Sequence, residues 1–157
     1  RDAVAWLARE IVPALHQVQT PPWKLLIVGA GGPTLLARLG ARDPRIVAYD
    51  TVPDVAPLLA RARAVVVPLR AGGGTRIKIL EALAHARPVV ATSLGAEGLE
   101  LERGADLLIG DSTSEIVEHL ARLIRDDELA VRIGAAGRAR VLAAYSPTAL
   151  AEALAGI

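Results

Sequence analysis

The amino-acid sequence predicts an α/β fold: a Rossmann-like, doubly wound parallel sheet in a single domain over residues 1–157. Three observations point there. Five short aliphatic runs, "KLLIVG" (24–29), "RIVAYD" (45–50), "AVVVPL" (64–69), "RPVVAT" (87–92) and "DLLIG" (106–110), alternate with stretches of helical periodicity. That alternation is the mark of βαβ units. The chain is 52% hydrophobic but only 3% aromatic and has no phenylalanine, so its core must be Leu, Val, Ile and Ala. Such a core suits strands buried on both faces beneath helices. A length of 157 residues is also enough to enclose one core of ordinary size.

Residues 2–18 read as an amphipathic helix with Asp2 as N-cap and Val4, Leu7, Ile11 and Leu15 on one face; "TPPW" ends it. The first strand stops in "GAGGP", and a helix follows over 34–40. After the second strand, "TVPDV" turns into a helix over 54–62. The third strand leads through Gly72, Gly73 and Gly74 into a helix over 75–86. Beyond the fifth strand, Asp111, Ser112 or Ser114 caps a helix, a second covers 128–144, and a last one follows Pro147.

Composition narrows the function classes. The net charge of +1 gives no global field that would direct the chain to nucleic acid or a membrane surface. The absence of cysteine excludes disulfides and thiolate metal sites. No apolar run reaches the roughly 18 residues of a transmembrane helix, and no signal peptide is evident. The chain opens on Arg1 and contains no methionine, as a fragment or a processed chain would. His16, His85 and His119 stand at no metal-ligand spacing, so no metal is expected. Asp50 and Asp54 flank a turn and read as helix caps, while Glu97, Glu100 and Glu102 lie in a Gly- and Leu-rich loop.

In an open parallel sheet, ligands bind beyond the carboxyl ends of the strands. The loop after the first strand carries Gly29, Gly31 and Gly32, but Leu35 occupies the position of a dinucleotide fingerprint's third glycine. A tight strand-to-helix turn accounts for it equally well. The loop after the third strand, "AGGGTRIKILEAL" (71–83), is more informative. Gly72, Gly73 and Gly74 remove every Cβ just ahead of a helix whose first amides are unpaired and partly positive. Phosphate can approach such amides only when side chains are out of the way. Thr75 adds a hydroxyl, and Arg76 and Lys78 add charges that oppose the helix dipole by about 0.3–1 kcal/mol each unless an anion offsets them. Lys78, Glu81 and His85 share one helix face, with Ile77, Leu80 and Ala84 on another. Lys78 and Glu81 form either a solvated pair or part of a site. Set between two buried strands, the Glu81 carboxylate is expected to need a partner, and vicinal sugar hydroxyls would serve.

"VPLRAGGGTRIKILEALAHARPVVATSLGAEGLE" (67–100) resembles the signature of the glycosyltransferase group 1 family (family 4), whose members are retaining enzymes of two-domain GT-B architecture. "LLIVGAGG", "VAYDTVPDVAPLLARARAVVVPL" and "AAYSP" resemble flanking pieces of that family in the same order. The resemblance implies that residues 1–157 are the C-terminal domain that binds a nucleotide-diphosphate-sugar donor, without a metal or other cofactor. It implies that the acceptor-binding N-terminal domain and the donor domain's first strand lie ahead of Arg1. Glu81 matches the second glutamate of the family's E-x7-E motif, the usual ribose ligand. The first glutamate falls at Gly73, a departure shared with a GGGTR subgroup many of whose members resemble polysaccharide-assembly transferases. Gly72, Gly73, Gly74 and Thr75 match the loop facing donor phosphates and sugar, Arg76 and Lys78 stand where a diphosphate contact is implied, and Gly29 and Val52 border the donor. The implied partners are the donor and, through the N-terminal domain, an acceptor glycan or lipid-linked glycan, with no nucleic acid. The implied location is the cytoplasm, at the inner membrane face in the full-length protein, and the isolated domain is expected to be inactive. Two alternatives are a non-catalytic Rossmann-like nucleotide-binding or scaffolding module and part of a sugar-nucleotide epimerase.

Overall fold

In the computed structural model, described for residues 2–72 and 76–146, all strand pairing is parallel, and helices pack on both faces of the strands that include Val89–Ala91. The strands are β1 (Leu25–Val28), β2 (Ile46–Tyr49), β3 (Val65–Val67), β4 (Val89–Ala91) and β5 (Leu108–Ile109). The helices are α1 (Asp2–Trp6), α2 (Val12–His16), α3 (Gly32–Leu39), α4 (Ala56–Arg61), α5 (Ile77–Ala84), α6 (Thr113–Arg125) and α7 (Asp127–Tyr145). All five predicted strands and the predicted helices up to residue 144 are present, with shorter strands than the aliphatic runs suggest. The helix expected after Pro147 lies outside the described residues.

The expected sheet forms as two ladders, β1–β2 and β3–β4–β5. Leu25 pairs with Ile46, Val65 with Val89, and Val90 with Leu108. The two ladders share apolar packing, because Leu25 of β1 and Val66 of β3 both lie against the same core cluster.

Period-two alternation sorts the residues of the larger ladder between two cores. Val90 and Leu108 face Leu7, Ile11, Ile116, Leu123 and Ile133. Their neighbours Val89, Ala91 and Leu107 face Ile79, Leu83 and Val141. β4 is therefore buried on both sides, which is why its run is purely aliphatic.

The N-terminal helix is continuous but not uniform. A π turn over Leu7–Ile11 separates α1 from α2, and the Val12 amide donates to Leu7 O. The turn lies directly before Pro13, which has no amide to donate to an earlier carbonyl. Its buried residues are Trp6, Leu7, Ile11, Val12 and Leu15. Asp2 sits inside the first turn rather than ahead of it as an N-cap. Of the three candidate caps for α6, Ser112 serves: its side chain accepts from the Glu115 amide and Glu115 reaches back, a complete capping box.

Two glycines of α7 let the helix lie directly on its neighbours. A Cβ on Gly134 would stand 2.2 Å from Ala86 O, and one on Gly137 would stand 2.6 Å from Asp106 O. Alanine gains about 1 kcal/mol over glycine in a helix interior. Overlap with backbone oxygen outweighs that gain, because the helix must move as a body. Gly134→Ala is expected to destabilise the fold by about 1–3 kcal/mol, read as a lower urea midpoint at unchanged slope.

Candidate functional site

The polar groups of the larger ladder collect at its carboxyl end. Thr92, buried and just past β4, donates its hydroxyl to Leu69 O and accepts the Gly95 amide at 2.9 Å. This joins the chain leaving β3 to the chain leaving β4. Gly95 is held so close that a Cβ would stand 2.9 Å from Val67 O.

The glycine loop begins on this anchor. Gly72 has φ +98 with nothing within 4 Å of a built Cβ, so glycine is needed there for backbone conformation. Gly73, Gly74 and Thr75, the centre of the predicted phosphate seat, lie outside the described residues. Beyond them, Arg76 is tied to the loop after β4: its Nε donates to Glu97 O at 3.1 Å and its guanidinium meets the Glu97 carboxylate at 3.4 Å. The Arg76 side chain is only 12% exposed. Glu97 thus offsets part of the charge that Arg76 places at the start of α5.

Lys78, Glu81 and His85 are all exposed, as their common face predicts. The other expected face is out of phase. α5 buries Ile79, Ala82 and Leu83, whereas Ile77 is 60% exposed and Ala84 is exposed too. The buried face is the one that packs with Val89, Ala91, Leu107 and Val141 in the same core cluster. Glu81 therefore has solvent for its carboxylate, and the burial argument for a sugar partner does not hold. The Ile77, Lys78 and Glu81 side chains instead form an open surface leading from the glycine loop.

The smaller ladder carries Gly29 and Val52. Gly29 donates its amide to Tyr49 O at 3.2 Å, while Asp50 Oδ1 accepts from the amides of Gly31 at 3.2 Å and Thr51 at 2.8 Å. Asp50 therefore joins the two loops instead of capping a helix. Asp54 does lie at a helix start, its carboxylate accepting from Ala56 N at 2.8 Å. Gly32 is required by close approach, because a Cβ would stand 2.9 Å from Tyr49 O. Val52, half-buried, follows the Asp50 turn.

Beside the Arg76–Glu97 contact lies a cavity of ≈ 420 Å³ with Leu94, Leu99 and Ile109 among its walls and Ser93, Glu97 and Arg103 among its polar lining. Ser93 bonds Asp111 twice, through its amide at 2.7 Å and its hydroxyl at 2.6 Å. Among the described residues, no three His, Asp or Glu side chains are grouped to hold a metal ion, and no helix is long and apolar enough to cross a membrane.

Sequence reasoning missed the residues that tie these loops together. Arg70 and Asp2 form a bidentate pair at 2.8 and 3.0 Å across 68 positions, and Arg70 lies over the Trp6 ring at 4.5 Å. The available signal was the position of Arg70, two residues ahead of the first glycine. Nothing local pointed to Asp2.

The Ser93 hydroxyl and amide hold the Asp111 carboxyl below the ordinary range, and Ser112 with the Asp111 amide does the same for Glu115. A depressed folded value contributes stability that is present above the unfolded value, about 4, and lost as pH falls through the folded one. Asp111→Asn is expected to lower Tm near pH 7, with solvent exposure keeping the loss to roughly 2–4 °C. The gap from the parent should narrow as pH falls below the ordinary carboxylate range. A gap independent of pH in thermal melts would show that the carboxylate's charge is not what matters.

The family model for glycosyl transferases group 1 matches residues 1–126. No curated protein sequence matches the chain. Among solved structures, TarM superposes with a TM-score of 0.76 at 19% identity over 98% of this chain and 31% of TarM. Anabaena HepE in complex with UDP-glucose superposes with a TM-score of 0.73 at 21% identity over 94% of this chain and 44% of HepE. The C-terminal domain of LpcC, a glycosyl transferase group 1 family protein from Francisella tularensis, gives 0.57 at 24% identity over 73% of this chain and 60% of that one. The chain thus spans less than half the length of TarM and HepE, and these likenesses establish the fold. Parallel ladders, a glycine loop running into α5 and a family match over 126 residues agree: the chain belongs to the glycosyl transferases group 1 family.

Proposed function

We propose that residues 1–157 form the donor-binding domain of a retaining glycosyltransferase that acts in polysaccharide or glycoconjugate assembly. The observation that carries this reading is the start of α5, where a glycine loop rooted on Thr92 is followed by exposed Lys78 and Glu81 on one surface. Family membership and the binding of UDP-glucose by HepE support it.

Each group then has a role. Amides at the helix start and the Lys78 ammonium stabilise the diphosphate as charge develops on the leaving nucleotide. Glu81 accepts hydrogen bonds from the ribose hydroxyls. Arg76, with its charge partly answered by Glu97, contributes to the phosphate field from the edge of the loop. Gly29 and Val52 border the donor from the other ladder. These residues bind and orient the donor; none is assigned as a nucleophile. The acceptor glycan or lipid-linked glycan is held by a further N-terminal domain, and the reaction takes place in the cytoplasm, at the inner membrane face.

Calorimetric titration with UDP, GDP and ADP tests the reading. Binding is expected without a divalent metal, at millimolar to high-micromolar Kd, about −4 to −6 kcal/mol. It should weaken as salt rises. Gly74→Val should abolish it, because a branched side chain would stand where phosphate approaches. Glu81→Ala should weaken it by about 1.5–3 kcal/mol, the range for hydrogen bonds to a charged group, with no change in Tm beyond a surface substitution. Equal affinity in Gly74→Val and the parent would rule out the phosphate seat.

A further inference from the structure

Strands β4 and β5 are parallel neighbours, and the crossover between parallel strands is usually a helix. Here residues 92–107 make that crossover without one. Irregular segments longer than roughly 12–15 residues are uncommon in compact domains and are usually functional. This one is braced along its length by side chains. The Ser93 amide donates to Asp111 Oδ1 at 2.7 Å and the Gly95 amide to Thr92 Oγ1 at 2.9 Å. The Glu100 amide donates to the Tyr145 hydroxyl at 2.8 Å and the Glu102 amide to Asp106 Oδ2 at 2.9 Å. Asp106 is only 5% exposed and also accepts from Arg140 Nε at 3.0 Å. The cavity of ≈ 420 Å³ is lined by this braced segment together with Ile109 of β5. Its volume falls in the range of small-molecule sites, about 300–1,000 Å³.

We propose that this cavity is a subsite for one neutral sugar residue. Its polar groups select the ligand class. Arg103 donates one guanidinium nitrogen to Ser93 Oγ at 3.4 Å and, among the described residues, pairs with no carboxylate, so it has donors to spare. Ser93 Oγ gives its own proton to Asp111 at 2.6 Å and keeps acceptor capacity. The Glu97 carboxylate meets Arg76 through one oxygen at 3.4 Å and its side chain is 69% exposed, which leaves it able to accept further bonds. Donors and acceptors thus stand in one lining, and hydroxyl groups, each able to donate and accept, match both. Leu94, Leu99 and Leu101 supply apolar surface for the C–H groups of a sugar ring. An anionic ligand would gain from Arg103 but would also meet the Glu97 carboxylate. A wholly apolar ligand would strip water from Arg103 and Glu97 with no hydrogen bond in return. The subsite deepens the function proposed above and rests on it for the choice of a sugar among polyhydroxy ligands, but its lining shares no residue with the nucleotide contacts assigned there.

The test is an NMR titration of the whole isotope-labelled chain, which also reports whether each variant is folded. The probes are the methyl glycosides of glucose, galactose, mannose and N-acetylglucosamine, with glucuronate as the anionic probe and hexyl phosphate as the amphiphilic one. At least one neutral glycoside should shift the amides of Ser93, Gly98, Leu99 and Arg103, with a Kd on the order of millimolar, and leave those of β2 unmoved. Arg103→Met keeps the length of the side chain but removes its donors, and should raise that Kd about tenfold. Ala96→Leu fills the cavity and should abolish the shifts. The same titration in saturating UDP should give the same shifts over 93–103. Three outcomes overturn the proposal: no neutral glycoside shifts these amides, glucuronate or hexyl phosphate binds there more tightly than every neutral glycoside, or Arg103→Met binds as the parent does. Loss of the shifts in UDP would also overturn it, by making the cavity part of the nucleotide seat. If the parent binds none of UDP, GDP or ADP, the donor-binding reading fails, while the glycoside shifts and the Arg103→Met result still decide whether the cavity holds a sugar.

Discussion

Burial of β4 on both faces is the constraint on which the rest of the structure depends. Val89, Val90 and Ala91 are each 0% exposed. A strand so placed can satisfy its backbone only sideways, through β3 and β5, since no water reaches it. It also needs apolar cover above and below. α5 and part of α7 supply one side, and the N-terminal helix with α6 the other. The glycines of α7 follow from this demand, because the helix must come within contact distance of the backbone at Ala86 and Asp106 to close the layer. A core made almost wholly of small aliphatic side chains allows such close layers.

Polar chemistry is excluded from that interior and is concentrated where β4 ends. Among the described residues Thr92 is one of two buried polar ones, and its hydroxyl bonds Leu69 O of the loop after β3 and the Gly95 amide of its own loop. Ser93 continues outward to Asp111 at the start of α6. The loops are thus stitched to one another by side chain to backbone and carboxylate bonds, not by further sheet. This gives the loops a common anchor without apolar area. It also places two arginines, Arg70 and Arg76, on either side of the glycine run, each with an acidic partner from a different part of the chain.

Those partners change the electrostatic reading of the site. Basic residues before and within the first turn of α5 oppose its dipole. The sequence reading left an external anion as the natural remedy. The fold offers an internal one for Arg76 in Glu97 and for Arg70 in Asp2, while Lys78 stays exposed on the helix surface. The field around the start of α5 is therefore already partly balanced within the fold. That agrees with a chain whose overall charge is only +1.

The sequence by itself determined the order and kind of the elements, the aliphatic strands, a cap ahead of α6 among Asp111, Ser112 and Ser114, and the common helix face of Lys78, Glu81 and His85. These depend on neighbours within a few residues, through helical and strand periodicity, capping chemistry and the permissive backbone of glycine. Tertiary structure alone decided the partition into two ladders, the buried face of α5, the solvent exposure of Glu81 and the partners of the arginines. The α5 phase is set by packing: Ile79 and Leu83 join Val89, Ala91 and Val141 in one core, which leaves Ile77 60% exposed. The Trp6–Thr113 bond spans 107 positions, Asp2–Arg70 spans 68 and Arg76–Glu97 spans 21. Nothing local distinguishes one surface aspartate or glutamate from another. Which of them meets a given guanidinium is set by the packing of helices on the buried strand, and that packing is a property of the whole chain.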